Sequence, residues 1–266
     1  MVFTEHTAPN GVLYLTAPTI RCRHAFTTRL GGVSTGDQAG LNLSESRDTD
    51  LACVRENYRR LGEATGIDTA RLARTKQVHG NVVRTVTGAD IHVPGDPMPY
   101  EADGIVTNEP GLALLCFTAD CVPVLLCDAR HGVIAAVHCG WRSSVADILY
   151  HALDAMCALG AAPETTAAAV GPAISRCCFE VGGEVIDALD RYLGGDSAGL
   201  YSASEEREGK YFLDLKAANA RRLRQLGVPA EAIAVSDDCT FCLPDKYWSH
   251  RFTKGRRGAQ GALIAL

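Results

Sequence analysis

Two phosphate-cradling patterns are missing from this sequence. It has no Gly-x-Gly and no glycine-rich loop closed by Gly-Lys-Ser/Thr, so dinucleotide-fingerprint and P-loop chemistry drop out. An excess of basic charge is missing too: 26 Lys and Arg against 31 Asp and Glu leave a net charge of −5, whereas nucleic-acid and anionic-membrane surfaces need a positive balance. The longest apolar region, Gly111 to Cys127, is interrupted by Asp120 and Pro123 and makes a poor membrane span. The first residues, Met1-Val2-Phe3-Thr4-Glu5-His6, lack the charged start and apolar stretch of a signal peptide. No internal repeat or low-complexity linker divides the 266 residues, which points to one domain over 1–266. These absences leave a small-molecule partner, with no nucleic acid and no membrane.

Cysteine is plentiful. Eleven cysteines (Cys22, Cys53, Cys116, Cys121, Cys127, Cys139, Cys157, Cys177, Cys178, Cys239 and Cys242) fall mostly inside apolar runs, the pattern of buried thiols in a reducing compartment, here the cytoplasm. Cys239-x-x-Cys242 has zinc-knuckle spacing, but Cys177 and Cys178 are adjacent and offer no second spaced pair, so two buried thiols are expected. Vicinal Cys177 and Cys178 cannot both enter one core from an extended strand.

The chain reads as alternating strands and helices. Val12 to Thr28 gives two short strands. The glycine-rich loop Leu30 to Leu43 contains Gly32-Val33-Ser34-Thr35-Gly36, the spacing of a nucleophile elbow, but no helix follows the serine. Asp50 to Thr65 has helical spacing, with Asp48 or Asp50 as cap and Gly66 as stop. Leu72 to Gly80 is expected to be a strand with a polar tip, and Asp90 to Glu101, with Pro94, Pro97 and Pro99, a surface loop. A helix from Ser143 or Ser144 to Leu159 takes Asp147 in capping-box register, and helices are expected over Glu180 to Leu193 and from Asp214 to Leu226. The fold expected is α/β (α+β), with mixed sheets flanked by helices.

The organising stretch is Thr118 to Arg142. Two buried apolar runs break for Asp120 and Cys121 in the first and His138 in the second, joined by a polar turn at Asp128 to Gly132. A thiol and an imidazole placed this way suit either a metal site or a thiolate nucleophile with a base. His79, before Gly80, completes a His, Cys, His set that fits a catalytic zinc with an open fourth position. Metal site, cysteine nucleophile and structural role all stay open on these residues. A helix opening near Arg142 would form an anion corner beside His138. The cluster Arg251, Lys254, Arg256 and Arg257 reads as a solvated loop, with Ser249-His250-Arg251 able to face a phosphate.

Gln77-Val78-His79-Gly80, Ala102-Asp103-Gly104, Thr118-Ala119-Asp120-Cys121-Val122-Pro123-Val124, Val137-His138-Cys139-Gly140-Trp141-Arg142, Gly171-Pro172-Ala173-Ile174, Cys177-Cys178-Phe179-Glu180-Val181 and Ser249-His250-Arg251 together resemble the laccase-domain (YfiH-like) family, from about Ala25 to the C-terminus. Members of that family carry the names polyphenol oxidase, peptidoglycan editing factor and purine nucleoside phosphorylase. The resemblance implies a four-layer fold and a zinc held by His79, Cys121 and His138. It also implies phosphorolysis of adenosine, inosine, guanosine and methylthioadenosine, with adenosine deamination as a second activity; a monomer or weak homo-oligomer is expected. On that reading Cys121, His138, Asp120 and Asp103 are catalytic, and Arg29, Asn42, Lys76, Arg142 and Arg251 contact substrate or phosphate. The family continues Ser-His-Arg with Arg-Asp, whereas Phe252 and Thr253 follow Arg251 here, and Lys254 to Arg257 are expected to make the substrate-side loop more basic than in the family. A multicopper oxidase needs about ten histidines, largely in His-x-His pairs; this chain has eight and no such pair, which disfavours copper. The rival enzyme is a cysteine hydrolase editing a peptidoglycan precursor, with Cys121 as nucleophile and His138 as base. A non-catalytic module pinned by zinc is the third reading.

Overall fold

The computed structural model describes residues 2–47, 50–96, 98 and 100–266. Asp48, one candidate cap, and Pro97 and Pro99 of the expected loop lie outside the described residues. The strands in chain order are β1 (Thr4–Thr7), β2 (Leu13–Thr16), β3 (Arg23–Thr27), β4 (Leu72–Ala73), β5 (Val83–Thr85), β6 (Gly104–Thr107), β7 (Ala113–Thr118), β8 (Val122–Asp128), β9 (Val133–Cys139), β10 (Ala167–Val170), β11 (Glu180–Gly182), β12 (Tyr201–Ala203), β13 (Lys210–Leu213), β14 (Ile233–Val235) and β15 (Gln260–Ala265). The helices are α1 (Leu51–Thr65), α2 (Trp141–Val145), α3 (Ile148–Ala158), α4 (Gly183–Tyr192), α5 (Leu215–Gln225) and α6 (His250–Thr253).

Two six-stranded sheets stack, in the orders β1-β2-β3-β15-β7-β4 and β14-β10-β8-β9-β6-β5, with a small β11-β13-β12 sheet beside them. Both large sheets are mixed: β4 with β7, β5 with β6 and β10 with β14 run parallel among otherwise antiparallel pairs. Side chains of a strand alternate between faces, and that alternation builds four layers. From β8 and β9, Val122, Val124, Leu126, Val133, Ala135 and Val137 pack toward helix residues such as Ile148, Leu153, Ile186 and Leu223. The intervening Leu125, Cys127, Ile134 and Ala136 meet Leu114, Cys116, Ala262 and Ile264 of the other sheet. The far face of that sheet, through Ala113, Leu115 and Leu263, receives Val54, Tyr58 and Leu61 of α1. The helix α1 forms as its spacing predicts, with the Asp50 side chain accepting from the Ala52 N–H and Gly66 at φ 69° in the left-handed region.

Several expected elements differ. The helix expected over Ser143 to Leu159 is split, because Asp147 sits at φ 61° and breaks it between α2 and α3. Its carboxylate does not cap; it accepts from Arg222 Nε of α5 at 3.0 Å, an ion pair invisible to local periodicity. Gly140 precedes α2, while Ser143 and Ser144 are buried within it. Only Leu72–Ala73 of the expected Leu72 to Gly80 strand is a strand. Beyond it the Gln77 amide replaces the missing backbone partner: its Nε2 donates to Phe117 O at 2.8 Å and its Oε1 accepts from Phe117 N at 2.6 Å. Glu180–Gly182 is a strand, and the helix begins at Gly183. Ser34 lies in a glycine turn, bridged to Gly40, with its hydroxyl accepting from Asn57. Cys239 is buried but Cys242 is exposed, contrary to the expectation of two buried thiols. Cys177 and Cys178 lie in a turn closed by the Cys178 N–H to Ser175 O bond at 2.9 Å, which frees both from strand alternation. Among the described residues no helix is long and apolar enough to cross a membrane.

Candidate active site

The site lies at one end of the space between the two stacked sheets. On β9, His138 shares the face of Ile134 and Ala136, the intersheet face, whereas its neighbour Cys139 joins the helix-side core. Pro123 of β8 is paired with His138. Cys121 stands two residues before Pro123, so the same period-two rule brings its thiol to the imidazole's side. Asp120, at φ 88°, turns the chain between β7 and β8 and delivers Cys121 there; the two breaks in the apolar runs are therefore one corner and one strand end.

His79 arrives on a loop, at φ 62°, and the cause of that conformation is Asp103. This buried carboxylate accepts from the backbone N–H groups of Val78 at 3.1 Å, His79 at 2.9 Å and Gly80 at 2.8 Å. Its Oδ1 also meets His138 Nδ1 at 2.8 Å. One side chain thus orients both histidines and leaves His138 Nε2 to the site, the arrangement by which ligating imidazoles are usually held. The ligand atoms of His79, Cys121 and His138 all lie within 4.8 Å of one another, with His79 Nε2 and Cys121 Sγ 3.8 Å apart. The histidine rings meet edge to face, centroids 4.9 Å apart. A Cβ at Gly140 would stand 3.0 Å from His79 Cδ2 and 3.4 Å from Cys121 Sγ, so glycine leaves these groups the room they occupy.

Charge alternates through this buried chain. Burial raises the Asp103 carboxyl, but His138 and the Gly80 and Val78 N–H groups outweigh it and hold the group below the ordinary carboxylate range. Burial alone would lower His138; the facing Cys121 sulfur and Asp103 instead push it up to about 9. Cys121 is raised by burial and lowered more strongly by His138 and His79, to about 6. Two anionic groups flanking one imidazole, with a second imidazole beside them, form a donor set that a divalent cation fits: borderline-soft zinc takes nitrogen and thiolate together.

The three residues border a cavity of about 770 Å³, also lined by Lys76, Gln77, Met98, Phe117, Ala119 and Arg257. Lys76 is the expected substrate contact that the cavity wall includes, and its Nζ also meets Glu101 at 2.8 Å. The other candidates stand elsewhere. Asp120 gives one oxygen to the Thr240 hydroxyl at 2.6 Å and the other to the Arg251 N–H at 2.7 Å. Asn42 is fully buried, its Oδ1 accepting from Ser44 N and Ala259 N. Arg142, on α2, which opens just after the His138 strand, lies over the Trp141 ring at 4.3 Å and is not among the residues lining the cavity. The Arg251 guanidinium faces Glu180 O at 3.4 Å. Arg29 stacks 4.0 Å over Trp248 and lines a separate recess with Lys254 and Arg256. Phe117 was not singled out by sequence, and Gln77 appeared only within the motif around His79; Arg257 belonged to the basic cluster read as a solvated loop.

A sequence profile described as multi-copper polyphenol oxidoreductase laccase matches residues 23–266. The chain belongs to this laccase-domain family. It is 41% identical over 260 residues to a protein of Deinococcus radiodurans named purine nucleoside phosphorylase, covering 98% of this chain and 95% of that one. It is 36% identical over 250 residues to purine nucleoside phosphorylase YlmD of Geobacillus stearothermophilus, covering 90% and 88%. The crystal structure of that YlmD superposes with a TM-score of 0.90 at 32% identity, over 98% of both chains, and the Bacillus licheniformis hypothetical protein YfiH with 0.91 at 27%, again over 98% of both. The four-layer mixed fold expected from the laccase-domain motifs is the fold of these relatives.

Proposed function

We propose that the protein is a zinc-dependent purine nucleoside phosphorylase, acting on adenosine, inosine, guanosine and methylthioadenosine, with adenosine deamination as a second activity of the same pocket. The observation that supports this most is the convergence of two imidazoles and one thiol on a cavity large enough for a nucleoside. Small-molecule pockets run from about 300 to 1,000 Å³, and the 770 Å³ here lies inside that range. The relatives named purine nucleoside phosphorylase supply the reaction class. His79, Cys121 and His138 would hold the ion, which supplies Lewis acidity toward the oxygen-rich reactants when bound.

The chain's own residues do the rest by positioning. Lys76 and Arg257 put cationic groups on the cavity wall, where they can hold phosphate in line with the ribose C1′ as the purine departs. Phe117 and Met98 offer the apolar surface against which a purine stacks. Asp103 acts on the histidines and Asp120 on the Cys121 corner, so both are positioning residues in this scheme. Arg29, Asn42, Arg142 and Arg251 act outside the cavity, as scaffold. Among the described residues the other converging donor set consists of cysteines alone, and no histidine-rich cluster accompanies the site to form the several-copper centre an oxidase requires.

The Cys121, His138, Asp103 series also has the order of a nucleophile, base and orienting group, which keeps the cysteine hydrolase as a second reading. Incubation with adenosine, with and without phosphate, followed by separation of adenine, inosine and ribose 1-phosphate, decides the reaction. Adenine formed only with phosphate is the expected result. A zinc-loaded protein that turns over no purine nucleoside overturns the proposal. A zinc-free protein that is active and is inactivated by alkylation of Cys121 moves the assignment to the hydrolase.

A further inference from the structure

A second convergence of ligand atoms lies outside the cavity. The sulfurs of Cys177, Cys178, Cys239 and Cys242 all fall within 4.8 Å of one another, although Cys242 stands 65 and 64 residues from Cys177 and Cys178. Cys178 Sγ is 3.3 Å and Cys177 Sγ 3.6 Å from Cys242 Sγ. The turn that frees the vicinal pair from strand alternation lets both adjacent thiols reach the same point. Cys239 is buried and accepts the Ser175 N–H at 3.3 Å. Backbone N–H groups turned onto a sulfur favour its thiolate form, the form that binds metal.

We infer that these four cysteines form a mononuclear, all-thiolate zinc site that pins the Ala173–Cys178 turn to the Cys239–Cys242 turn. Four sulfurs about 2.3 Å from one tetrahedral centre stand about 3.8 Å apart, close to the spacings observed. An iron–sulfur cluster interposes several irons and bridging sulfides, and its cysteine sulfurs would be spread wider. A disulfide would use two sulfurs and give no reason for the other two to converge. On binding, four Zn–S bonds form, any S–H bonds break and their protons pass to solvent, with no oxidant or reductant needed. The closed four-protein coordination is that of a structural zinc, in contrast to the three-ligand set at the cavity.

The placement gives the pin a purpose. Thr240, next to Cys239, donates its hydroxyl to Asp120 Oδ1 at 2.6 Å. Ile174, on the other pinned segment, donates its N–H to Asp120 O at 3.0 Å. Joining the two segments therefore fixes the corner that delivers Cys121, whatever reaction the cavity performs.

The full chain, purified anaerobically with a reductant, should contain about two zinc ions. A His79→Ala/Cys121→Ser/His138→Ala variant should keep about one, with X-ray absorption showing only sulfur neighbours at about 2.3 Å. Cys239→Ser/Cys242→Ser should lose that ion and its all-sulfur signature. A folded triple variant without zinc, or with nitrogen or oxygen neighbours at its zinc, overturns the inference, as does a disulfide among these four cysteines in the anaerobic protein. Should the variants fail to fold, the cobalt-substituted wild type decides: one cobalt per chain must show the intense charge-transfer absorption of four thiolates, and its absence is equally adverse. Failure of phosphorolysis would leave this metal count unchanged, so the two proposals stand or fall separately.

Discussion

Replacing Asp103 by asparagine tests the architecture at its centre. The carboxylate accepts four hydrogen bonds, from the N–H groups of Val78, His79 and Gly80 and from His138. Asparagine has the same shape but one acceptor, and in either amide orientation its NH2 group faces donors that the carboxylate satisfied. Hydrogen bonds to a charged group contribute roughly 1.5–3 kcal/mol each. Losing two of them, with some relaxation, should cost about 3 kcal/mol of folding stability. The same change frees the His138 tautomer and loosens the His79 loop, and loss of such an orienting partner weakens metal binding roughly 10–100-fold. Urea unfolding measures the first effect. Competition with a chromophoric chelator measures the second, in a Cys177→Ser/Cys242→Ser background so that the cavity site alone is read. An Asp103→Asn protein that unfolds at the wild-type midpoint and binds zinc within about threefold of wild type would refute the argument that this carboxylate holds both histidines.

Gly140→Ala should weaken zinc binding at the cavity about tenfold with little loss of stability, because φ −63° and ψ 161° suit alanine while the new Cβ presses on His79 and Cys121; chelator competition checks it, and unchanged affinity counts against the crowding argument. Asp128 is buried and accepts from the Thr165 hydroxyl, Ala162 N and His131, which overcome the effect of burial and lower its carboxyl to about 2. A carboxyl lowered on folding stabilises above its unfolded pKa, so Asp128 should contribute about 2 kcal/mol at neutral pH that is lost as the pH falls from about 4 through 2. Wild type and Asp128→Asn should therefore converge in stability in that acid range, and parallel urea midpoints across it would contradict the assignment. Leu126→Ala, at a fully buried position between sheet and helices, should cost about 2–5 kcal/mol by chemical denaturation, and a loss under about 1 kcal/mol would mean the layer repacks.

Features that depend on neighbours along the chain can be read from the residues alone. Period-two alternation in β8 and β9 sorts Leu125 from Leu126 and His138 from Cys139, and the Asp50 and Gly66 signals set the ends of α1. The motifs around His79, Cys121 and His138 carried the laccase-domain resemblance and with it the four-layer fold. Other features rest on groups distant along the chain and emerge only in the folded molecule. The Arg222 partner of Asp147 splits a helix that looks continuous, and Gln77 stands in for a strand. Asp103, expected to be catalytic, is committed to backbone N–H groups and an imidazole. Arg257 reaches the cavity where Arg142 and Arg251 do not. The adjacent Cys177-Cys178 pair, which matches no linear zinc pattern, meets Cys239-x-x-Cys242 because the turns bearing them pack together. Local periodicity reports which face of an element a residue occupies; what stands opposite that face is settled by the packing of elements whose sequences lie far apart.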